Sequence, residues 1–194
     1  MASIISKNFS VPTAVTICSN ALYLLAAEPI SSFDDDTTEA QITKALYPTT
    51  YATFLTESNW NFATKQTTLS KLVEKPSDSR YTYAYALPSD MLSINFVSPN
   101  TDYRVHGNKI FSNSSKLDIN YIYLCDESAL SPSAVTALEY LIASKIAFPL
   151  TNDSQKTQIY NGMYIDALMR ARYVDSQNDP NDAFDDNPLI SVRY

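Results

Sequence analysis

Few side chains in this 194-residue chain are equipped for chemistry. His106 is the single histidine, and it lies in His106-Gly107-Asn108 between two strand-like segments, DYRV and KIF. That is hairpin-turn composition, with Gly107 free to take a positive φ. A Ser-His-Asp or Cys-His set needs a base beside a nucleophile and an orienting group. No such set can be assembled around His106, so it is expected as an exposed turn residue. Cys18 and Cys125 sit inside the apolar runs TICSNAL and YIYLCD rather than in metal-ligand spacing. Two buried, reduced thiols are expected, a disulfide or ligand role being the alternative. The run Asp34-Asp35-Asp36 suggests a metal site, but a calcium loop needs further oxygen ligands at fixed spacing and a glycine for its turn. The reading preferred is a helix start: Asp36 and Glu39 have capping-box spacing ahead of TTEAQITKAL, and negative charge there suits the helix dipole. No catalytic residue, metal ligand or cofactor is assigned.

Composition narrows the classes further. Two glycines, Gly107 and Gly162, against ten prolines leave no material for a phosphate loop or a dinucleotide fingerprint. A net charge of -7 argues against a surface that grips nucleic-acid phosphates by counterion release. The opening MASIISKNFSVP lacks an apolar core with a basic flank, and no run approaches the roughly 18 apolar residues of a membrane span. A cytoplasmic setting without membrane contact is expected, and a chain this long buries roughly 70% of its unfolded surface without staples.

The elements that must position these residues follow from periodicity. A first helix is predicted over 12–27, with Pro12 in its first turn, Ala14, Cys18, Ala21, Leu22 and Leu25 on one face, and Glu28-Pro29 closing it. A second runs from Asp36 to about Ser58, kinked or split by Pro48. From Phe62 to Asp126 the period changes to two: QTTLSKL, YTYAYAL, LSINFV, DYRVHG, KIFSN and LDINYIYL are separated by turn residues and predict one antiparallel sheet of about five strands. Ser131-Pro132 caps a third helix with Val135, Leu138, Ile142 and Ile146 in a stripe up to Pro149. A fourth spans about 153–174, with Tyr160, Met163, Tyr164, Ala167, Ala171 and Val174 in register. The fold class is therefore α+β: about four helices over 1–61 and 127–175 forming a bundle, a β insert over 62–126, and an extended arm over 176–194.

Two stretches invite an interaction reading. In YTYAYALPSDML, Tyr81, Tyr83 and Tyr85 share one strand face as an aromatic stripe, facing either the core or a neighbouring subunit, while Pro88 and Asp90 turn the chain. The last stretch, DSQNDPNDAFDDNPLISVRY, carries five aspartates between Asp175 and Asp186. It reads either as a solvated tail or as an arm that docks through Phe184, Leu189, Ile190, Val192 and Tyr194.

ICSNALYLLAAEPISSFDDDTTEAQ, ALYPTTYATFLTESNWNFATKQ, YAYALPSDMLSI, INYIY and ALEYLIASKIAFPLTNDSQKTQIY, in that order, resemble the tail tubular protein A family of short-tailed phages over nearly the whole chain. The most telling residues are Cys18, Asn20, Asp36 and Glu39 within Cys18 to Ala40, Trp60 and Phe62 in WNFA, and Tyr85, Pro88 and Asp90 in YALPSDML. Ala27 stands where that pattern has glycine, Ser19 intervenes before Asn20, and Met91 replaces a cysteine. The resemblance implies a structural virion protein and not an enzyme. Its copies would form a ring, a dodecamer, between the portal and the tail nozzle protein, with genome DNA passing through the channel without sequence-specific binding. The setting implied is the tail or neck of the virion, and the host cytoplasm during assembly. A different neck or head-completion ring is the alternative, and a small enzyme the reading from another class.

Overall fold

The computed structural model describes residues 11–74 and 76–177. The arm residues Phe184, Leu189, Ile190, Val192 and Tyr194 lie outside the described residues. Among the described residues, four helices and six strands in two antiparallel sheets give a mixed α+β architecture.

The first helix, α1 (Ala14–Leu24), starts later than periodicity suggested. Thr13, not Pro12, opens it: the Thr13 hydroxyl accepts from the Thr16 N–H at 3.3 Å, and Thr16 Oγ1 accepts from the Thr13 N–H at 2.9 Å. This is a reciprocal capping box with threonine in place of the usual glutamate. Pro12 therefore precedes the cap, and the helix closes through Ala26 at φ 57 rather than at Glu28-Pro29.

The second helix, α2 (Thr38–Thr56), corrects the Asp36 reading. Its N-cap is Thr37, whose hydroxyl accepts from the Ala40 N–H at 3.2 Å; Asp36 is exposed, and Glu39 sits in the first turn without closing a box. Asp35 is the aspartate with a structural task. Its carboxylate accepts the backbone N–H groups of Ser31 at 2.8 Å and Ser32 at 3.0 Å, which hold it below the ordinary carboxylate range. The helix runs unbroken through Pro48. One missing N–H is outweighed because the same turns bury Tyr47, Tyr51, Phe54 and Leu55, and tertiary packing rather than propensity holds most protein helices.

A 3-10 turn at Asn61–Ala63 leads into β1 (Thr64–Thr68). The strands β2 (Tyr83–Ala86), β3 (Met91–Ser98), β4 (Tyr103–His106), β5 (Lys109–Ser112) and β6 (Asp118–Tyr123) follow. Instead of one sheet there are two, ordered β1-β6-β3 and β2-β5-β4. The Pro88–Met91 turn is the cause: Met91 N–H bonds the Pro88 carbonyl at 3.3 Å and Leu87 N–H bonds Asn108 at 3.0 Å, so β2 stays with the β4-β5 hairpin while β3 leaves for the other sheet. That hairpin turns at Gly107 with φ +60, as its sequence implied.

Helix α3 (Pro132–Thr151) is capped by Ser131, whose hydroxyl accepts from the Ala134 N–H, and it continues through Pro149 to an αL residue, Asn152. It packs against α1, α2 and α4. By length and composition alone it could cross a membrane, which corrects the expectation that no run approaches that length; half of the relevant window is buried in the protein. Asp153 then caps α4 (Ser154–Ser176) through the Gln155 and Lys156 N–H groups. The buried face of α4 is Tyr164, Leu168, Ala171 and Asp175, so Met163 and Val174 of the predicted stripe are exposed.

Two apolar clusters result. The larger joins the helices to Trp60, Ile122 and Cys125, and the smaller holds Leu69, Tyr85, Val97, Ile110, Leu117, Ile119 and Tyr121 between the sheets. Each large side chain taken fully out of water there contributes about 1.5–3 kcal/mol.

Candidate functional site

The segments that carry chemistry-bearing or family-like residues become joints between elements. Trp60 is wholly buried and stacks between Phe54 and Phe62, with ring centroids at 5.1 and 5.3 Å. Its indole N–H donates to the Phe54 carbonyl at 3.1 Å, giving the one polar atom of a large apolar body its partner. Directly after it, the Asn61 N–H donates to the Asp175 carboxylate at 2.8 Å and the Asn61 side-chain amide donates to the Asp175 carbonyl at 2.8 Å. Burial pushes the Asp175 carboxyl upward, and the Asn61 N–H partly opposes this. Two further bonds draw α4 onto the end of α2: Tyr164 donates to the Glu57 carboxylate, and Arg172 donates to the Glu57 carbonyl. The WNFA segment is thus where α2, α4 and β1 are tied together.

A second joint connects α2 to the chain after β6. Tyr47 and Tyr51 stack at 5.7 Å; Tyr47 donates to Glu127 at 2.8 Å and Tyr51 to the Cys125 carbonyl at 3.0 Å. Burial first, then these acceptors, raises both phenols above their ordinary range. Cys18 and Cys125 are buried free thiols. Burial, with Glu127 adding to it, pushes Cys18 up to about 12, and burial also raises Cys125. Asn20 lies on the exposed side of α1 and donates to Glu139 of α3 at 2.6 Å.

The third joint surrounds Asp90 in the β2-β3 turn. Its carboxylate accepts from Lys65 of β1 at 2.9 Å and from Tyr121 of β6 at 3.3 Å, while its carbonyl accepts the Leu124 N–H at 2.9 Å. Lys65, itself 3.6 Å from the Tyr123 ring centroid, is the chief reason the Asp90 carboxyl is held below its ordinary value. Pro88 is half-buried at the start of this turn.

Of the stripe expected of Tyr81, Tyr83 and Tyr85, two members face the core from β2, Tyr85 within the smaller apolar cluster and Tyr83 packed against it. Tyr81 precedes β2, in a turn where its N–H bonds the Asp78 carbonyl at 3.1 Å. Tyr83 is half-buried beneath Lys71, whose Nζ is 3.4 Å from the ring centroid. Tyr85 is 1% exposed and donates to the Ser114 carbonyl at 2.6 Å; Ala84 beside it is also buried, so both faces of β2 are covered there.

His106 is exposed and lies parallel to Phe111 at 6.2 Å. It borders a depression of about 330 Å³ with Glu74, Ser77 and Lys109, and Lys109 pairs with Glu74 at 2.5 Å. A groove of about 390 Å³ runs between α3 and α4. Among the described residues, no three His, Cys, Asp or Glu side chains converge to hold a metal ion. The arrangement supplies surfaces and joints: the Asp175, Glu127 and Asp90 contacts were missed in sequence because they link residues 114, 80 and 25 positions apart.

Compared with models of known protein families and with curated proteins, the chain matches none.

Proposed function

We propose that the chain is a head-to-tail adaptor of a short-tailed phage virion, a structural subunit whose copies form a dodecameric ring between portal and tail nozzle and prolong the channel for the genome. In this reading the helices of 1–61 and 127–176 form the ring-building bundle, the strands of 62–126 an insert on it, and residues 178–194, beyond the end of α4 at Ser176, an arm that reaches a portal or neighbouring subunit. The carrying observation is where the family-like residues fall. Cys18, Trp60, Phe62, Tyr85, Pro88 and Asp90 are buried or half-buried in the cores and joints, whereas Asn20 and Asp36 are exposed, so the support comes from the WNFA and YALPSDML segments and from Cys18. The net charge of -7 also suits a wall past which DNA slides, since like charge discourages adhesion to phosphates.

Mass photometry of the pure chain, alone and with a portal ring, tests the proposal. A ring or a portal-bound complex with multiple copies is expected, and failure to form either overturns it. Deleting residues 178–194 is expected to leave the circular dichroism spectrum unchanged and to weaken portal binding; unimpaired assembly removes the arm's role.

A further inference from the structure

Fifteen large apolar side chains are exposed among the described residues, and six of them belong to α4. Ile159, Met163, Ile165, Met169, Tyr173 and Val174 are between 44% and 67% exposed, spread around the sides of α4 turned away from the buried Tyr164, Leu168, Ala171 and Asp175. Six exposed large apolar side chains on one helix are a concentration found in no other described element. Between α4 and α3 lies the 390 Å³ groove, lined by Tyr140, Met163 and Ala167 together with the charged Asp166 and Arg170. Arg170 makes no ion pair among the described residues.

We propose that in the free chain, before it meets a portal or neighbouring subunit, residues 178–194 fold back along α4 of the same chain and seat Phe184 in this groove, and that assembly releases them. Reach permits it. The groove residues 163–170 lie about 9–20 Å back from Ser176 at 1.5 Å per helical residue. The eight residues from there to Phe184 span up to about 26 Å extended. Asp179-Pro180-Asn181 has the composition of a chain reversal. Charge favours it as well: Asp179, Asp182, Asp185 and Asp186 lie around Phe184, with no base among residues 178–187, and Arg170 lines the groove. The Asp175–Asn61 contact fixes the point from which the segment departs. A tethered segment acts at an effective concentration in the millimolar range, well above that of a second copy in dilute solution.

A nitroxide on Asn187→Cys in the full chain tests this, because the buried native thiols leave the introduced cysteine as the reactive one. Loss of the amide NMR signals of Met163 to Arg170 is expected, persisting when the labelled ¹⁵N chain is diluted into excess unlabelled chain. Adding Phe184→Ser is expected to restore the signals. Absence of signal loss overturns the proposal; loss that vanishes on dilution assigns the groove to a second copy and overturns it too. Loss that survives Phe184→Ser overturns the seat assigned to Phe184. The measurement uses the chain alone, so its outcome is separate from any test of portal binding.

Discussion

Asp175 and Asn61, 114 positions apart, hold each other by two hydrogen bonds of 2.8 Å, one from the Asn61 N–H to the carboxylate and one from the Asn61 amide to the Asp175 carbonyl. Asp175 is only 6% exposed. Its carboxylate serves as the acceptor for a 3-10 turn that begins where Trp60 ends its stack, so the last turn of α4 sets the path by which the chain enters β1.

Replacing Asp175 with Ala leaves the Asn61 N–H without its partner in a half-closed site. A loss of about 1–3 kcal/mol is expected from an orphaned donor. Urea denaturation followed by the fluorescence of Trp60, the single tryptophan, measures it. An unchanged midpoint would show that the tie contributes nothing.

Two aspartates should respond to pH with opposite signs. Burial raises the folded-state pKa of Asp175, so its contribution is fully present below the unfolded value near 3.9 and is lost as pH rises through the folded value. Lys65 lowers that of Asp90, whose contribution is present above the unfolded value and is lost as pH falls through the folded one. Asp175→Asn should therefore gain stability relative to the native chain as pH rises from about 3 to 7. Asp90→Asn should lose it over the same range, by no more than about 1 kcal/mol because the Lys65 pair is partly exposed. Urea midpoints at several pH values report both, and parallel profiles for the two variants would contradict the assignment.

The thiols give a chemical prediction. A nucleophilic cysteine needs thiolate and access, and Cys18 has neither, being wholly buried with its pKa at about 12. Cys125 is buried and raised as well. At pH 8 the native chain is expected to leave a thiol-reactive chromophore essentially unconsumed, and both residues are expected to react in denaturant. Rapid titration of either in the folded protein would show that this core opens.

Helices and the Gly107 hairpin were legible in the sequence because both are local. Amphipathic spacing places α3, and a glycine between strand-like runs places the turn. Helix starts were less legible: three aspartates drew the cap to Asp36, whereas the geometry at Thr37 satisfies the Ala40 N–H with a hydroxyl. The aromatic alternation of Tyr81, Tyr83 and Tyr85 predicted a strand but not its neighbours, and pairing with β5 and the turn at Asp78 decided which ring went inside. Joints such as Tyr47–Glu127 have no sequence signature, since neither partner stands in a pattern that names the other.

The two glycines separate backbone demand from vacancy. Neither would bring an added Cβ within 4 Å of another group, so packing cannot distinguish them. Gly107 sits at φ +60 in a two-residue hairpin, where an L side chain is strained, and Gly107→Ala should cost about 1 kcal/mol. Gly162 lies inside α4 with no such φ, and alanine there restricts the unfolded chain more than the folded one. Gly162→Ala should therefore stabilise by about 0.5–1 kcal/mol. Thermal melts of the two variants beside the native chain are expected to shift in opposite directions. A destabilised Gly162→Ala would contradict the open space found around that position.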